Sequence, residues 1–261
     1  MARTKLTYKK TYFFQKAKLS YEVLGKGKSV ILLHGALTNW TATKFKKSLA
    51  KSYRVYVPDL PGFGASDAIF SKKHNIDLFC QAFTVFLNKT GLKHTPIIAL
   101  SLGSLVAIKT AAKKQTMGKL VLVGMPVKIK EWKFFWLSLL PLFIKRAVVN
   151  TTWGKKYFVI PILRENIGPT DKQTNKKLIK LLKSTATQAM IDTNYLREVN
   201  TKLPKIIKQV NNKMVFVYGE KDKQKKLSQH IVKKYIEIPH SEHNIFRSSP
   251  QQSLKIIKKL I

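Results

Sequence analysis

A serine flanked by small residues lies near the middle of the chain, in the stretch ALSLGS that runs from Ala99 to Ser104. Ser101 follows a run that predicts a buried strand and precedes one that predicts a helix. Small residues permit a sharp turn that exposes the hydroxyl and directs the next backbone N–H toward a developing oxyanion. Ser101 is therefore a candidate nucleophile, and the N–H of Leu102 a candidate oxyanion donor. Alone, the pattern is also typical of a serine that caps a helix.

A second segment, from His34 to Leu37 (HGAL), follows another short apolar run. Its backbone could supply a second oxyanion N–H, for which Ala36 is the candidate. By itself this segment is more typical of an ordinary strand-to-helix turn that contains a hydrogen-bonded histidine.

An acid and a base follow two later strands. Asp222 lies in YGEKD after the run KMVFVY, and His243 lies in HSEHN near the C-terminus. Acidic groups at the carboxyl ends of parallel strands lie where such sheets place their ligands, and a histidine there could accept the proton of a serine. Glu220 competes with Asp222 for the role of the acid, and His240 competes with His243 for that of the base.

The elements that must position these residues alternate along the chain. The first 24 residues predict an antiparallel hairpin or two edge strands. Strands are predicted at 29–33, 53–57, 95–100, 119–123, 213–218 and 235–238, and helices at 38–51, 75–90, 104–114, 227–234 and 250–261. This alternation indicates an α/β fold whose mostly parallel central sheet has helices on both faces.

The alternation stops between residues 126 and 200, which predicts a helical cap (lid) inserted into a core domain of residues 1–125 and 201–261. Trp132, Trp136 and Leu140 belong to an aromatic-rich part of the cap and are candidates for lining an apolar substrate pocket. Packing of the cap onto the core is the alternative role for these side chains. A third interpretation joins them to nearby lysines in a basic amphipathic surface that touches anionic membranes.

Together, these segments resemble the α/β-hydrolase superfamily, specifically its capped esterase, lipase and C–C hydrolase-like group. The chain order of serine, acid and histidine, each after a strand, is that of the family. The family's Asp-x-x-Gly-x-Gly-x-Ser loop matches residues 59–66, whose role looks structural. The resemblance covers nearly the whole chain and is least specific in the cap.

The resemblance implies a nucleophile elbow at Ser101 and a catalytic triad in which His243 is the general base and Asp222 orients it. His243 is preferred to His240 because Pro250 follows it, as a proline follows the histidine loop of the family. The other common position for the family's acid falls at residues 123–125, which contain no carboxylate. Two glycines of the family pattern are replaced, by Ala99 and Glu242, but no catalytic group is lost.

The net charge is the unusual feature of the composition. The chain of 261 residues contains 49 Lys and Arg against 13 Asp and Glu, a formal charge of +36. Such a field attracts anionic partners, but the excess is spread along the whole chain, with +17 in residues 1–125, +9 in 126–200 and +10 in 201–261. A specific nucleic-acid partner is therefore not expected, because a dedicated module would concentrate the charge.

One cysteine, Cys80, excludes an intrachain disulfide and a thiolate metal cluster. No cofactor and no metal are expected, because the implied mechanism needs neither. The lack of a signal peptide and of a transmembrane segment leads us to expect a cytoplasmic protein, with peripheral membrane contact as an alternative.

The function expected from the resemblance is that of a serine hydrolase, which cleaves a small-molecule carboxylic ester or related acyl substrate through an acyl-enzyme. A C–C bond hydrolase and a thioesterase of the same fold are the alternatives among enzymes. A basic binding protein that has retained the fold without catalysis is the alternative outside them.

Overall fold

This computed structural model describes residues 7–36, 43–67, 69, 76–113, 117–127, 141, 143–144, 147–148, 151–160, 202–210 and 214–261. Eight strands form one sheet in this part of the chain. The strands are β1 (Thr7–Phe14), β2 (Ala17–Leu24), β3 (Ser29–Leu33), β4 (Arg54–Pro58), β5 (Ile97–Leu100), β6 (Leu120–Val123), β7 (Met214–Gly219) and β8 (Ile236–Ile238).

The strand order across the sheet is β1-β2-β4-β3-β5-β6-β7-β8. The first two strands form an antiparallel hairpin at one edge, and β2 also pairs antiparallel with β4. All the other pairs are parallel. Because neighbouring parallel strands end at the same edge of a sheet, the loops after β3, β5, β6, β7 and β8 lie along one edge.

Helices cover both faces of the sheet, as the alternation predicted. They are α1 (Thr43–Leu49), α2 (Ile76–Thr90), α3 (Leu102–Ala112), α4 (Thr152–Gly154), α5 (Lys223–Ser228), α6 (Ile245–Ser248) and α7 (Pro250–Leu260). A five-residue π-helix, Lys155–Val159, continues α4, and residues 202–209 are also helical.

Two hydrophobic clusters, one on each face, hold the helices to the sheet. In β5, Ile97 and Ala99 belong to the cluster that packs on α2 and α3, whereas Ile98 and Leu100 belong to the cluster that packs on α1, α6 and α7. Successive side chains of a strand point to opposite faces, so a central strand covered on both sides must be apolar at every position. This requirement explains why the central strands could be recognised as continuous apolar runs.

The helix predicted at 227–234 is wrong. The structure places α5 at Lys223–Ser228, and residues 229–234 are not helical. The cause is local capping, because the Asp222 carboxylate accepts a hydrogen bond from the Gln224 N–H at 2.8 Å and begins the helix directly after the acid. The short helix α6, just before α7, was not predicted. Helix α3 begins at Leu102 rather than at the predicted Ser104.

Candidate active site

Ser101 occupies a strained turn between β5 and α3. Its backbone has φ 50° and ψ −109°, a conformation that non-glycine residues rarely adopt and that costs on the order of 1–3 kcal/mol. The N–H of Ser101 donates to the Val123 carbonyl at the end of β6 (2.8 Å), and its carbonyl accepts from the N–H of Ser104 (3.0 Å). The strain is held in place by these two bonds, which connect the turn to the neighbouring strand and to α3.

The turn is tight because α3 begins against the end of β3. An ideal Cβ atom on Gly103 would lie 2.6 Å from the carbonyl oxygen of His34 and 2.7 Å from that of Leu33, so only glycine permits this approach. The hydroxyl of Ser104 donates to the carbonyl of Ala99 at 2.7 Å. Gly103, on the helix side of Ser101, therefore has the steric role that the sequence indicated.

His34 holds the loop that contains Ala36. It is buried, and its Nε2 accepts a hydrogen bond from the N–H of Leu60 at 3.0 Å. The proton must then lie on Nδ1, which donates to the Gly35 carbonyl at 2.6 Å. Burial lowers the pKa of His34, an effect that the nearby Asp59 carboxylate and the Gly35 carbonyl offset only in part. This histidine is thus a neutral bridge between two loops, and Ala36, at the end of its loop, is half-buried.

The loop of residues 59–66 is held by its own hydrogen bonds. The Asp59 carboxylate accepts from the Ala65 N–H at 3.0 Å, and the Ser66 hydroxyl donates to the Asp59 carbonyl at 2.7 Å. The Ser66 hydroxyl also accepts from the N–H of Ser20 in β2 at 2.9 Å. These polar side chains are occupied in fixing the loop against the sheet.

Asp222 and His243 form a buried pair. Nδ1 of His243 lies 3.0 Å and 3.1 Å from the two carboxylate oxygens of Asp222. The side chains are 1% and 7% exposed, so little water competes for the contact. A carboxylate at Nδ1 keeps the proton of the neutral imidazole on that nitrogen and leaves Nε2 as a base. Nε2 is buried and has no hydrogen-bond partner among the residues that the structure describes.

Gly124 connects the serine turn to this pair. It directly follows Val123, the acceptor of the Ser101 N–H, and its φ of 55° brings its backbone against His243. A Cβ atom at this position would lie 2.9 Å from Cε1 of His243 and 3.2 Å from a carboxylate oxygen of Asp222. The structure therefore brings Ser101, Asp222 and His243 to one region of the sheet edge. In the sequence, residues 123–125 stand out only because they contain no carboxylate, and no sequence signal marks the steric role of this glycine.

The two competing residues are paired with each other instead. Glu220 accepts the backbone N–H of His240 at 2.6 Å, and its carboxylate lies 3.7 Å from Nδ1 of that histidine. The hydrogen bond from the His240 N–H is the main cause of the lowered pKa of Glu220. The His240 side chain is 88% exposed, in contrast to the buried ring of His243. The described contacts thus favour Asp222 and His243 over Glu220 and His240.

The predicted pocket residues Trp132, Trp136 and Leu140 lie outside the described residues. Within the described ranges, there is no group of three or more histidine, cysteine, aspartate or glutamate side chains that could hold a metal ion. No helix in those ranges is both long enough and apolar enough to span a bilayer.

Two curated relatives resemble part of the chain. One is a 2-hydroxy-6-oxononadienedioate/2-hydroxy-6-oxononatrienedioate hydrolase of Pseudomonas putida, 34% identical over 114 residues, which are 41% of this chain and 40% of the relative. The other is a pimeloyl-[acyl-carrier protein] methyl ester esterase of Shewanella woodyi, 29% identical over 157 residues, 59% of this chain and 54% of the relative. The matches thus span about half the length of these relatives.

Solved structures share the fold over nearly the full length. An N-acyl homoserine lactonase, AidH, superposes with a TM-score of 0.74 at 16% identity and covers 97% of this chain and 95% of its own. The family model described as alpha/beta hydrolase fold matches residues 28–250. The sheet order, the turn at Ser101 and this match over most of the chain lead to one conclusion: the chain belongs to the α/β-hydrolase fold family.

Proposed function

We propose that this protein is a serine hydrolase that cleaves a carboxylic ester or a related acyl substrate. The observation that carries the proposal is the buried pair of His243 and Asp222. Nε2 of His243 has no hydrogen-bond partner among the described residues. The pair packs against Gly124, which directly follows Val123, the acceptor of the Ser101 N–H. A polar atom buried without a partner is costly, so an unpaired Nε2 in a polar site points to a proton-transfer role.

In the proposed mechanism, His243 takes the proton of Ser101 as the hydroxyl oxygen attacks the substrate carbonyl carbon. Asp222 stabilises the charged imidazole and maintains its orientation. The bond to the leaving group then breaks, and His243 returns the proton to that group. Water, activated by the same histidine, hydrolyses the acyl-enzyme and frees Ser101.

The oxyanion is stabilised by the backbone N–H groups of Leu102 and Ala36. Leu102 is the first residue of α3, so its N–H belongs to the electropositive end of that helix. Ala36 is provided by the loop that His34 bridges to Leu60. One donor of this kind is worth about 3 kcal/mol of barrier. Residues 126–200 would form the cap that determines substrate choice.

A C–C bond hydrolase is the second candidate, favoured by the similarity to the Pseudomonas putida hydrolase, whose name denotes a dienedioate or trienedioate substrate. A thioesterase uses the same machinery and remains within the proposal. A binding protein without catalysis would be expected to have lost one of the proposed catalytic side chains, and none is missing.

The experiment compares wild type with Ser101→Ala on p-nitrophenyl acyl esters of increasing chain length and on 2-hydroxy-6-oxononadienedioate. We expect turnover of one class to fall by at least about 10⁴-fold in the variant. Labelling of Ser101 by a fluorophosphonate probe reports the activated serine independently of substrate. If wild type shows no turnover and no labelling, the proposal is refuted. Labelling without turnover would refute only the choice of substrates.

A further inference from the structure

An exposed aromatic and basic face lies on the helical turn that joins α4 to the π-helix. Trp153 is 58% exposed and Tyr157 is 53% exposed, and their ring centroids are 5.4 Å apart. The ammonium group of Lys156 lies 4.9 Å from the Tyr157 ring centroid. Residues separated by three or four positions share one side of a helix, so these side chains form a single surface. We call Trp153, Lys156 and Tyr157 the aromatic face.

Buried residues in the same helical segment hold this face in place. Gly154 is buried, and a Cβ atom there would overlap the carbonyl oxygen of Val148, so the helix backbone lies directly against that residue. Thr151 caps the helix, its hydroxyl accepting the N–H of Gly154 at 2.9 Å. Ile160 is also buried. The exposure of Trp153 and Tyr157 is therefore built into the local packing.

The surrounding sequence has the same character. Residues 132–164 contain six lysines and arginines, eight aromatic residues and no aspartate or glutamate. Within this stretch, Phe143 is 72% exposed. A large apolar ring without polar atoms gains little from phosphate groups alone, but it gains from transfer into hydrocarbon. Tryptophan and tyrosine prefer the boundary between hydrocarbon and head groups, and lysines beside them pair with anionic lipids.

We propose that the aromatic face docks on the surface of an anionic lipid bilayer. Trp153 and Tyr157 enter the head-group region, and Lys155 and Lys156 contact lipid phosphates. The chain does not span the bilayer in this arrangement but lies on it, as amphipathic surface helices do. The inference is independent of the proposed catalysis, because none of these residues takes part in the Ser101 chemistry.

Vesicle flotation tests the proposal with the full chain. Wild type is mixed with phosphatidylcholine vesicles that contain or lack phosphatidylglycerol. We expect binding to the anionic vesicles only. Trp153→Ala/Tyr157→Ala should weaken that binding at least about tenfold, since two exposed rings lose their apolar transfer. Lys155→Gln/Lys156→Gln should weaken it about fivefold per lysine, the factor that corresponds to about 1 kcal/mol for each charge near the surface.

Matched variants distinguish this face from the global charge. Tyr8→Ala/Phe13→Ala removes two aromatic rings of similar exposure from β1, and Lys233→Gln/Lys234→Gln removes two adjacent exposed lysines elsewhere. Both controls should bind vesicles as wild type does. Equal losses in the two lysine pairs, or full binding by the Trp153/Tyr157 variant, would overturn the proposal.

Two further measurements separate vesicle binding from catalysis and from nucleic-acid binding. Ser101→Ala should bind vesicles as wild type does, so a failure of the proposed catalysis leaves this result readable. If wild type binds a DNA duplex through Trp153 and Tyr157 but does not bind vesicles, the aromatic face is a nucleic-acid site and the membrane proposal is refuted. Circular dichroism and thermal unfolding of each variant confirm that lost binding does not reflect lost folding.

Discussion

Gly124 packs against the imidazole of His243 so closely that an added Cβ atom would lie 2.9 Å from Cε1. The same glycine has φ 55°, which a side chain makes unfavourable. The backbone directly after β6 therefore packs against the histidine ring, and the position of that ring depends on the absence of a side chain at residue 124.

We expect Gly124→Ala to displace the His243 ring and to lower kcat about 100-fold, the loss that misplacement by about 1 Å produces. Gly91→Ala is the control, because Gly91 also has a positive φ (70°) but has no atom within 4 Å of the added Cβ. Both variants should lose unfolding free energy from backbone strain, Gly124→Ala more because of its close contacts, and only Gly124→Ala should lose activity. Equal activity of the two would show that the contact with His243 does not matter.

Asp222→Asn should abolish most of the activity without unfolding the protein. The asparagine amide can still cap α5 through the Gln224 N–H, because asparagine and aspartate are equally good N-caps. It would stabilise the wrong imidazole tautomer, and kcat should fall about 10⁴-fold. Glu220→Gln should retain activity, since its amide oxygen can still accept the His240 N–H. A larger loss in the Glu220 variant would exchange the roles of the two acids.

His34 should make the stability of the protein depend on pH. Because burial lowers its pKa in the folded state below the usual value of 6.5, the unfolded state binds more protons between the two values. The contribution is fully present above the unfolded pKa and is lost as pH falls below it. We expect the unfolding free energy of wild type to decrease from about pH 7 to pH 5 and that of His34→Gln to decrease less. Urea titrations across this range measure the slopes.

The exposed His94 supplies the matched control for this slope. His94→Gln should keep the wild-type pH dependence of unfolding. Parallel slopes for wild type and His34→Gln would mean that His34 is not held neutral by the fold.

His240 adopts φ 53° while its N–H donates to Glu220, so the loop before His243 contains a left-handed residue. His240→Gly keeps this hydrogen bond and removes the steric strain, and we expect no loss of unfolding free energy. His240→Val, which is β-branched, should lose at least about 1 kcal/mol. Chemical denaturation measures the unfolding free energies of both variants. A larger loss in His240→Gly than in His240→Val would refute the claim that His240 is strained.

The local pattern of the sequence determined the elements of the sheet and the order of the chemical groups. Continuous apolar runs marked β3, β5 and β6 because strands covered on both faces admit no polar side chain. Small residues around Ser101 indicated a sharp turn because steric exclusion acts between neighbours in sequence. The helix at 227–234 was misplaced because its true start depends on capping by the Asp222 side chain, which a periodic pattern does not reveal.

Only the tertiary structure shows which of these residues contact each other: Asp222 pairs with His243, and Glu220 with His240. Glu220 and Asp222, like His240 and His243, are equivalent as residue types, and the family resemblance rather than chemistry favoured one of each. Gly124, directly after β6, packs against the Asp222–His243 pair, whereas Glu220 accepts the N–H of His240. Loop side chains have no fixed period, so contacts between residues about 20 or 120 positions apart determine which acid meets which base.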